Sequence, residues 1–194
     1  MNRFSELVAP LRRAVHAVCF ETGIQDAPFG TLGTCFFVEL KCGFFAVTLE
    51  HVLKQTHVSD MFVFEEGNQI KQIRFEVRIN VTCPASPDSE IRDLVLLKIS
   101  RSTLSGHLPF YNLSKISNEW ELEPWNYEYM VFGYPSEGRY VDYENKHIHC
   151  PQHSFTGVYS GKSMLEDCYK LTITPESNSG PSNIDGYSLS LIHI

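Results

Sequence analysis

The sequence is short of basic side chains: 16 Lys and Arg stand against 23 Asp and Glu in 194 residues, a net charge of −7. That balance argues against general binding to nucleic acid and against docking on an anionic membrane. No run approaches the roughly 18 apolar residues of a membrane span. The opening MNRFSELVAPLRRAV is broken by Glu6, Arg12 and Arg13 and so lacks the apolar stretch of a signal peptide. A cytoplasmic protein is expected. The six cysteines, Cys19, Cys35, Cys42, Cys83, Cys150 and Cys168, contain no CxxC pair and no zinc-site spacing. In a reducing compartment they are free thiols, most of them small buried apolar residues. Gly30-Thr31-Leu32-Gly33 lacks the GK[ST] ending of a phosphate loop. His147, His149, Cys150 and His153 cluster, and the first two share a face of a strand, but no fourth ligand follows at a useful spacing. They read as a polar strand end, and neither a metal nor a cofactor is expected. Internal repeats, low-complexity tracts and heptads are absent.

Helical periodicity is also scarce. Residues 1–13 form an N-terminal segment with one short helix over Phe4 to Arg13, limited by Pro10. The rest reads as strand. Ala14 to Phe20, Thr34 to Leu40 and Gly43 to Leu49 are apolar and aromatic, the last two joined by Lys41-Cys42 as a hairpin. Met61 to Glu65 pairs with Ile70 to Val81 around Glu66-Gly67-Asn68. In the latter run Ile73, Phe75, Val77, Ile79 and Val81 alternate with polar residues, which predicts a half-buried strand of period two. After the turn-rich Pro84 to Glu90, Leu94 to Ile99 is a continuous apolar strand. Residues 106–128 read as a linker, in a polar stretch running from about Ser100 to Pro124. A second β set follows: Tyr129 to Phe132, Arg139 to His149, Ser154 to Tyr159 and Tyr169 to Thr174. The aromatics Phe36, Phe37, Phe44 and Phe45 read as core. The expected class is all-β, an antiparallel barrel or sandwich in each half (residues 14–105 and 129–194).

Three segments carry chemistry. Val47-Thr48-Leu49-Glu50-His51 ends a strand in a histidine. Asp93 leads directly into Leu94 to Ile99. Gly186-Tyr187-Ser188 lies near the C-terminus. A serine hydroxyl is a weak nucleophile at neutral pH and needs a base within hydrogen-bond reach, a role imidazole suits. The imidazole needs a carboxylate on its other nitrogen to fix its tautomer and stabilise its cation. A glycine two residues before the serine lets its N–H and the serine's own bind an oxyanion, which assigns Gly186 and Ser188. The plainer readings are a strand-end histidine for His51, a turn residue for Asp93 (with Asp88 or Glu90 in its place as the acid) and an Asp-Gly hairpin for Ser188. Ser179, in Ser177-Asn178-Ser179-Gly180-Pro181, is a rival nucleophile. It lacks the preceding glycine, and Ser188 is favoured.

GTCFFV from Gly33, VTLEHVL from Val47, DLVLLKI from Asp93, Gly133-Tyr134-Pro135 and IDGYS from Ile184 occur in the order of motifs in one family. The chain resembles the trypsin-like, chymotrypsin-fold serine peptidases, in particular their bacterial intracellular members, over about residues 14 to 190. The resemblance implies two antiparallel six-stranded β-barrels with the active site in the cleft between them. The first carries His51 and Asp93; the second carries Ser188 and is incomplete at the C-terminus. It implies an endopeptidase that acts on polypeptides through an acyl-enzyme, without a cofactor. The disulfide that ties the histidine loop in secreted relatives has no counterpart here. Two departures stand out. Leu49-Glu50 replaces the small residues that precede the histidine, and Leu189-Ser190-Leu191 follows Ser188 instead of Gly-[Gly/Ser]-Pro. The tail LSLIHI reads as a foreign scar on a truncated sequence. A truncated second barrel would leave the pocket unformed and the fragment inactive. The departures keep open a non-catalytic peptidase-like module that binds peptides or a partner protein, and further domains beyond residue 194.

Overall fold

The computed structural model describes residues 12–65, 71–81, 93–104, 108–113, 128–145, 147–162, 169–173 and 191–193. The structure is mostly β and contains one closed six-stranded antiparallel barrel. Its strands are β1 (Val15–Glu21), β2 (Phe29–Leu40), β3 (Gly43–Leu49), β4 (Met61–Glu65), β5 (Lys71–Asn80) and β6 (Leu94–Ile99). Their order around the wall is β1-β4-β5-β6-β3-β2, and β2 closes on β1. Closure leaves none of the six with an open edge.

Period two decides what faces inward. Val18, Phe37, Ala46, Val63, Ile73 and Leu97 fill the barrel. Phe37 is inside while its neighbours are not: Val38 and Phe45 sit in a second buried layer on the outer face, flanked by Phe36 and Tyr111. The paired aromatics are therefore split between two layers, because adjacent strand residues point to opposite faces.

β2 begins earlier than its composition predicts. Its first turn of chain holds Gly30 and Gly33, which mask the strand signal. Both glycines are sites of close approach. A Cβ on Gly30 would lie 2.4 Å from the Phe20 ring across the ladder.

The strict alternation predicted for β5 fails at one point. Phe75 pairs with Ile99 and Val77 with Lys98, so Glu76 is an extra residue in a β-bulge. Beyond it the faces are exchanged, leaving Val77 45% and Ile79 41% exposed. The Glu76 carboxylate is fixed on the Lys98 ammonium at 3.1 Å. That hydrogen bond holds Glu76 below the ordinary carboxylate range.

After the barrel, β7 (Tyr111–Asn112), inside the predicted linker, returns to run parallel to Val38–Glu39 of β2. The strand predicted over Arg139 to His149 is instead a hairpin of β9 (Tyr140–Asp142) and β10 (His147–His149). Asn145 folds back on the Asp142 carboxylate to make its turn. An antiparallel sheet has the order β12 (Tyr169–Ile173), β11 (His153–Lys162), β8 (Glu128–Gly133) and β13 (Leu191–His193). Among the described residues this sheet stays open, and a second barrel is not shown. Within the tail read as a foreign scar, Leu191–His193 forms β13, paired with β8. Of the predicted segment 1–13 only residues 12 and 13 are described, and they are helical. Among the described residues no helix is long and apolar enough to cross a membrane.

The sheet meets the barrel through Val15, Met130 and Phe132. Around them the polar groups are satisfied. The Tyr134 N–H donates to Thr34 Oγ1 at 2.8 Å, and the Val15 carbonyl accepts from Tyr134 Oη and Gln152 Nε2, each at 3.2 Å. Cys19 and Cys35 are buried free thiols, but Cys42 is exposed and Cys150 only partly covered. Burial pushes the Cys19 thiol up to about 12, so it is inert at neutral pH.

His16, on β1, places its ring 4.2 Å from that of Phe37. Its Nε2 is sealed from solvent and has no hydrogen-bond partner among the described residues. Burial pulls its pKa down to about 4, against roughly 6.5 in an unfolded chain. As pH falls the unfolded state therefore binds the proton first. Stability is complete above about pH 6.5 and declines between about 6.5 and 4, by on the order of 3 kcal/mol. His16→Phe is expected to flatten this slope in urea midpoints measured from pH 7.5 to 4. An unchanged slope would assign the acid sensitivity to other groups.

Candidate active site

The two strands that bracket the site are neighbours, and their register decides what meets at their ends. β3 and β6 run antiparallel with Leu49 opposite Leu94. The residue after Leu49 and the residue before Leu94 must therefore lie side by side at one rim of the barrel. There β3 passes directly into a single helical turn, α1 (Glu50–Leu53). His51 thus sits inside this turn rather than at the strand terminus the sequence predicts.

The turn has no side-chain cap of its own. Its orphan donors need partners from elsewhere, and Asp93 supplies one. Asp93 Oδ1 accepts the backbone N–H of His51 at 3.0 Å. Its Oδ2 is hydrogen-bonded to His51 Nδ1. One carboxylate therefore holds both the main chain and the ring of the histidine. An ionised carboxylate only accepts, so Nδ1 carries the proton and Nε2 has its lone pair available. The imidazole side chain is 63% exposed and Asp93 31%. Nε2 makes no hydrogen bond among the described residues.

α1 is seated by its other side. Val52 and Leu53 are buried, and Gly33 lies beneath Val52. A Cβ on Gly33 would stand 2.7 Å from Val52 Cγ1. The glycine of GTCFFV is thus a contact requirement of the histidine turn. The turn ends at Lys54, whose φ of 52° is a left-handed conformation costly for a side-chain-bearing residue. Below it Thr48, fully buried, donates its hydroxyl to the Thr34 carbonyl at 2.8 Å.

The structure thus brings two of the expected residues together. Ser188, Gly186 and the rival Ser179 lie outside the described residues, as do Asp88 and Glu90. Gly133-Tyr134-Pro135 ends β8 beside Thr34. Among the described residues no three His, Cys, Asp or Glu side chains gather as a metal site. Sequence reasoning missed a group beside His51. The Glu50 carboxylate accepts from Arg78 Nη2 at 2.8 Å and from Asn80 Nδ2 at 3.3 Å. The only sequence signal for it was the unusual Glu50 itself.

Gly33→Ala is expected to displace Val52 and α1 and to destabilise the protein by about 1–3 kcal/mol, the usual range for overpacking. Gly33→Ala with Val52→Ala frees the space and is expected to regain part of that loss. Thermal unfolding of the two variants checks this; equal losses would refute the close-contact account.

No protein-family model matches this chain, and no curated protein matches it.

Proposed function

We propose that the protein is a serine endopeptidase of the trypsin-like kind, with His51 as general base, Asp93 as its orienting acid and Ser188 as nucleophile. The observation that carries this reading is the double grip of Asp93 on His51 at the barrel rim. It fixes the tautomer that leaves Nε2 able to take a proton. In the proposed reaction Nε2 removes the Ser188 hydroxyl proton while the oxygen attacks a peptide carbonyl. Asp93 stabilises the imidazolium, and the N–H groups of Gly186 and Ser188 receive the oxyanion. His51 then returns the proton to the leaving amine, and water attacks the acyl-enzyme. Nucleophile, base and acid all come from the chain, so the reading uses no cofactor. In this reading the strands of residues 129–194 belong to a second, trypsin-like barrel. A reducing, cytoplasmic setting goes with it, in which the thiols Cys19, Cys35, Cys42 and Cys150 persist unpaired.

A fluorophosphonate probe tests the assignment, since it reacts with a serine only where a base activates it. Labelling is expected for the full-length protein and for its Ser179→Ala variant, and is expected to vanish in Ser188→Ala. Asp93→Asn should slow it by on the order of a thousandfold or more through the wrong tautomer. A full-length protein that takes no label, with His51 and Asp93 intact, would favour a module that binds peptides without cleaving them.

A further inference from the structure

We infer that Arg78 and Asn80 are positioning residues for His51, turned onto its helical turn by the β-bulge at Glu76. The inference rests on the reading of His51 as base. Before the bulge β5 follows its sequence pattern, with Ile73 and Phe75 buried in the barrel. Had the pattern continued, Val77 and Ile79 would lie inside and Arg78 and Asn80 outside. The inserted residue exchanges them. The half-buried Arg78 then reaches Glu50 Oε1, as does Asn80. Arg78 Nε also donates to Asn80 Oδ1 at 3.1 Å, so the two donors are fixed to each other as well as to Glu50. One residue further on, the Val81 N–H donates to the Leu94 carbonyl at 2.9 Å.

The end of β5 therefore holds the chain neighbour of each half of the candidate pair. It holds Leu94, next to Asp93, through the main chain. It holds Glu50, next to His51, through two side chains. Bulges commonly re-aim side chains beside sites in this way. The bonds to Glu50 add a second hold on the start of α1, beside the bond from the His51 N–H to Asp93.

The test reads the His51 tautomer directly, by long-range 1H–15N correlation of its ring nitrogens in the folded protein. The unaltered chain is expected to hold His51 mainly as the Nδ1–H form, as the Asp93 contact demands. Arg78→Met with Asn80→Ala removes both donors and is expected to shift the ring toward the Nε2–H form usual in water. Arg78→Lys is expected to keep the native form. Glu50→Ala cuts the same link from the other side and should match the double variant, which guards against a variant that simply fails to fold. The fluorophosphonate rate is expected to fall about tenfold or more in the double variant, as small misplacements of a catalytic group do. A native tautomer in both the double variant and Glu50→Ala overturns the positioning role. If the full-length protein takes no label, the peptidase reading fails while the tautomer measurement still decides this one.

Discussion

The antiparallel register of β3 on β6 is the constraint from which the rest of the site follows. With Leu49 opposite Leu94, a histidine just past one strand and an aspartate just before the other become neighbours, although far apart in the sequence. The magnitudes show which way the dependence runs. An exposed polar pair such as His51 with Asp93 contributes on the order of 1 kcal/mol. Each large apolar side chain buried in the barrel contributes about 1.5–3 kcal/mol, and Phe37, Ile73, Leu97 and Ile99 are all fully enclosed. The pair does not hold the barrel together; the barrel holds the pair. A closed wall suits that task, because no strand can slip by one residue without exchanging its inner and outer faces.

Thr34 extends the constraint beyond the barrel. Its carbonyl receives the Thr48 hydroxyl, next to the end of β3, and its own hydroxyl receives the Tyr134 N–H at the end of β8. Both threonines are fully buried, where an unpaired hydroxyl or N–H would be costly. One residue thus ties the strand that leads to His51 to the open sheet that follows. Gln152 and Tyr134, both bonded to the Val15 carbonyl, fix the same boundary from β1. The relative placement of the two β units is set by polar groups that must find partners, around a small apolar contact of Val15, Met130 and Phe132.

Much of this was legible because periodicity and motif endpoints are local signals. Gly43–Leu49 and Leu94–Ile99 form the strands their composition announces, and the meeting of His51 with Asp93 needs only that those strands pair. What could not be read depends on non-local fit. The start of β2 was hidden because Gly30 and Gly33 look like turn residues until Phe20 and Val52 are seen pressing on them. The run from Arg139 to His149 hid a hairpin because its turn is made by Asp142 and Asn145 rather than by a glycine. The clamp on Glu50 was invisible because period two, the strongest signal in β5, predicts the opposite face for Arg78. Ser188 and its neighbours remain at the level of motif, since they lie outside the described residues.

The bulge in β5 is not explained by stability. Burying the Val77 and Ile79 side chains would be worth at most about 1.5–3 kcal/mol each, and the structure leaves both partly in water. In exchange it gains the ion pairs of Arg78 with Glu50 and of Glu76 with Lys98. Exposed pairs of this kind return about 0–1 kcal/mol apiece, comparable with the burial forgone, since Val77 and Ile79 are only 45% and 41% exposed. The two terms nearly cancel, so the bulge brings no clear gain in stability. Departures from local consistency that gain no stability are expected at functional sites, and this one lies on the strand that reaches both Glu50 and Leu94. The same reasoning bears on Glu50, one of the two residues before the histidine that the sequence marked as unusual. A small residue there would suffice if the turn were held by other means. Here Asp93 takes the His51 N–H, and the turn's own carboxylate gives β5 something to hold.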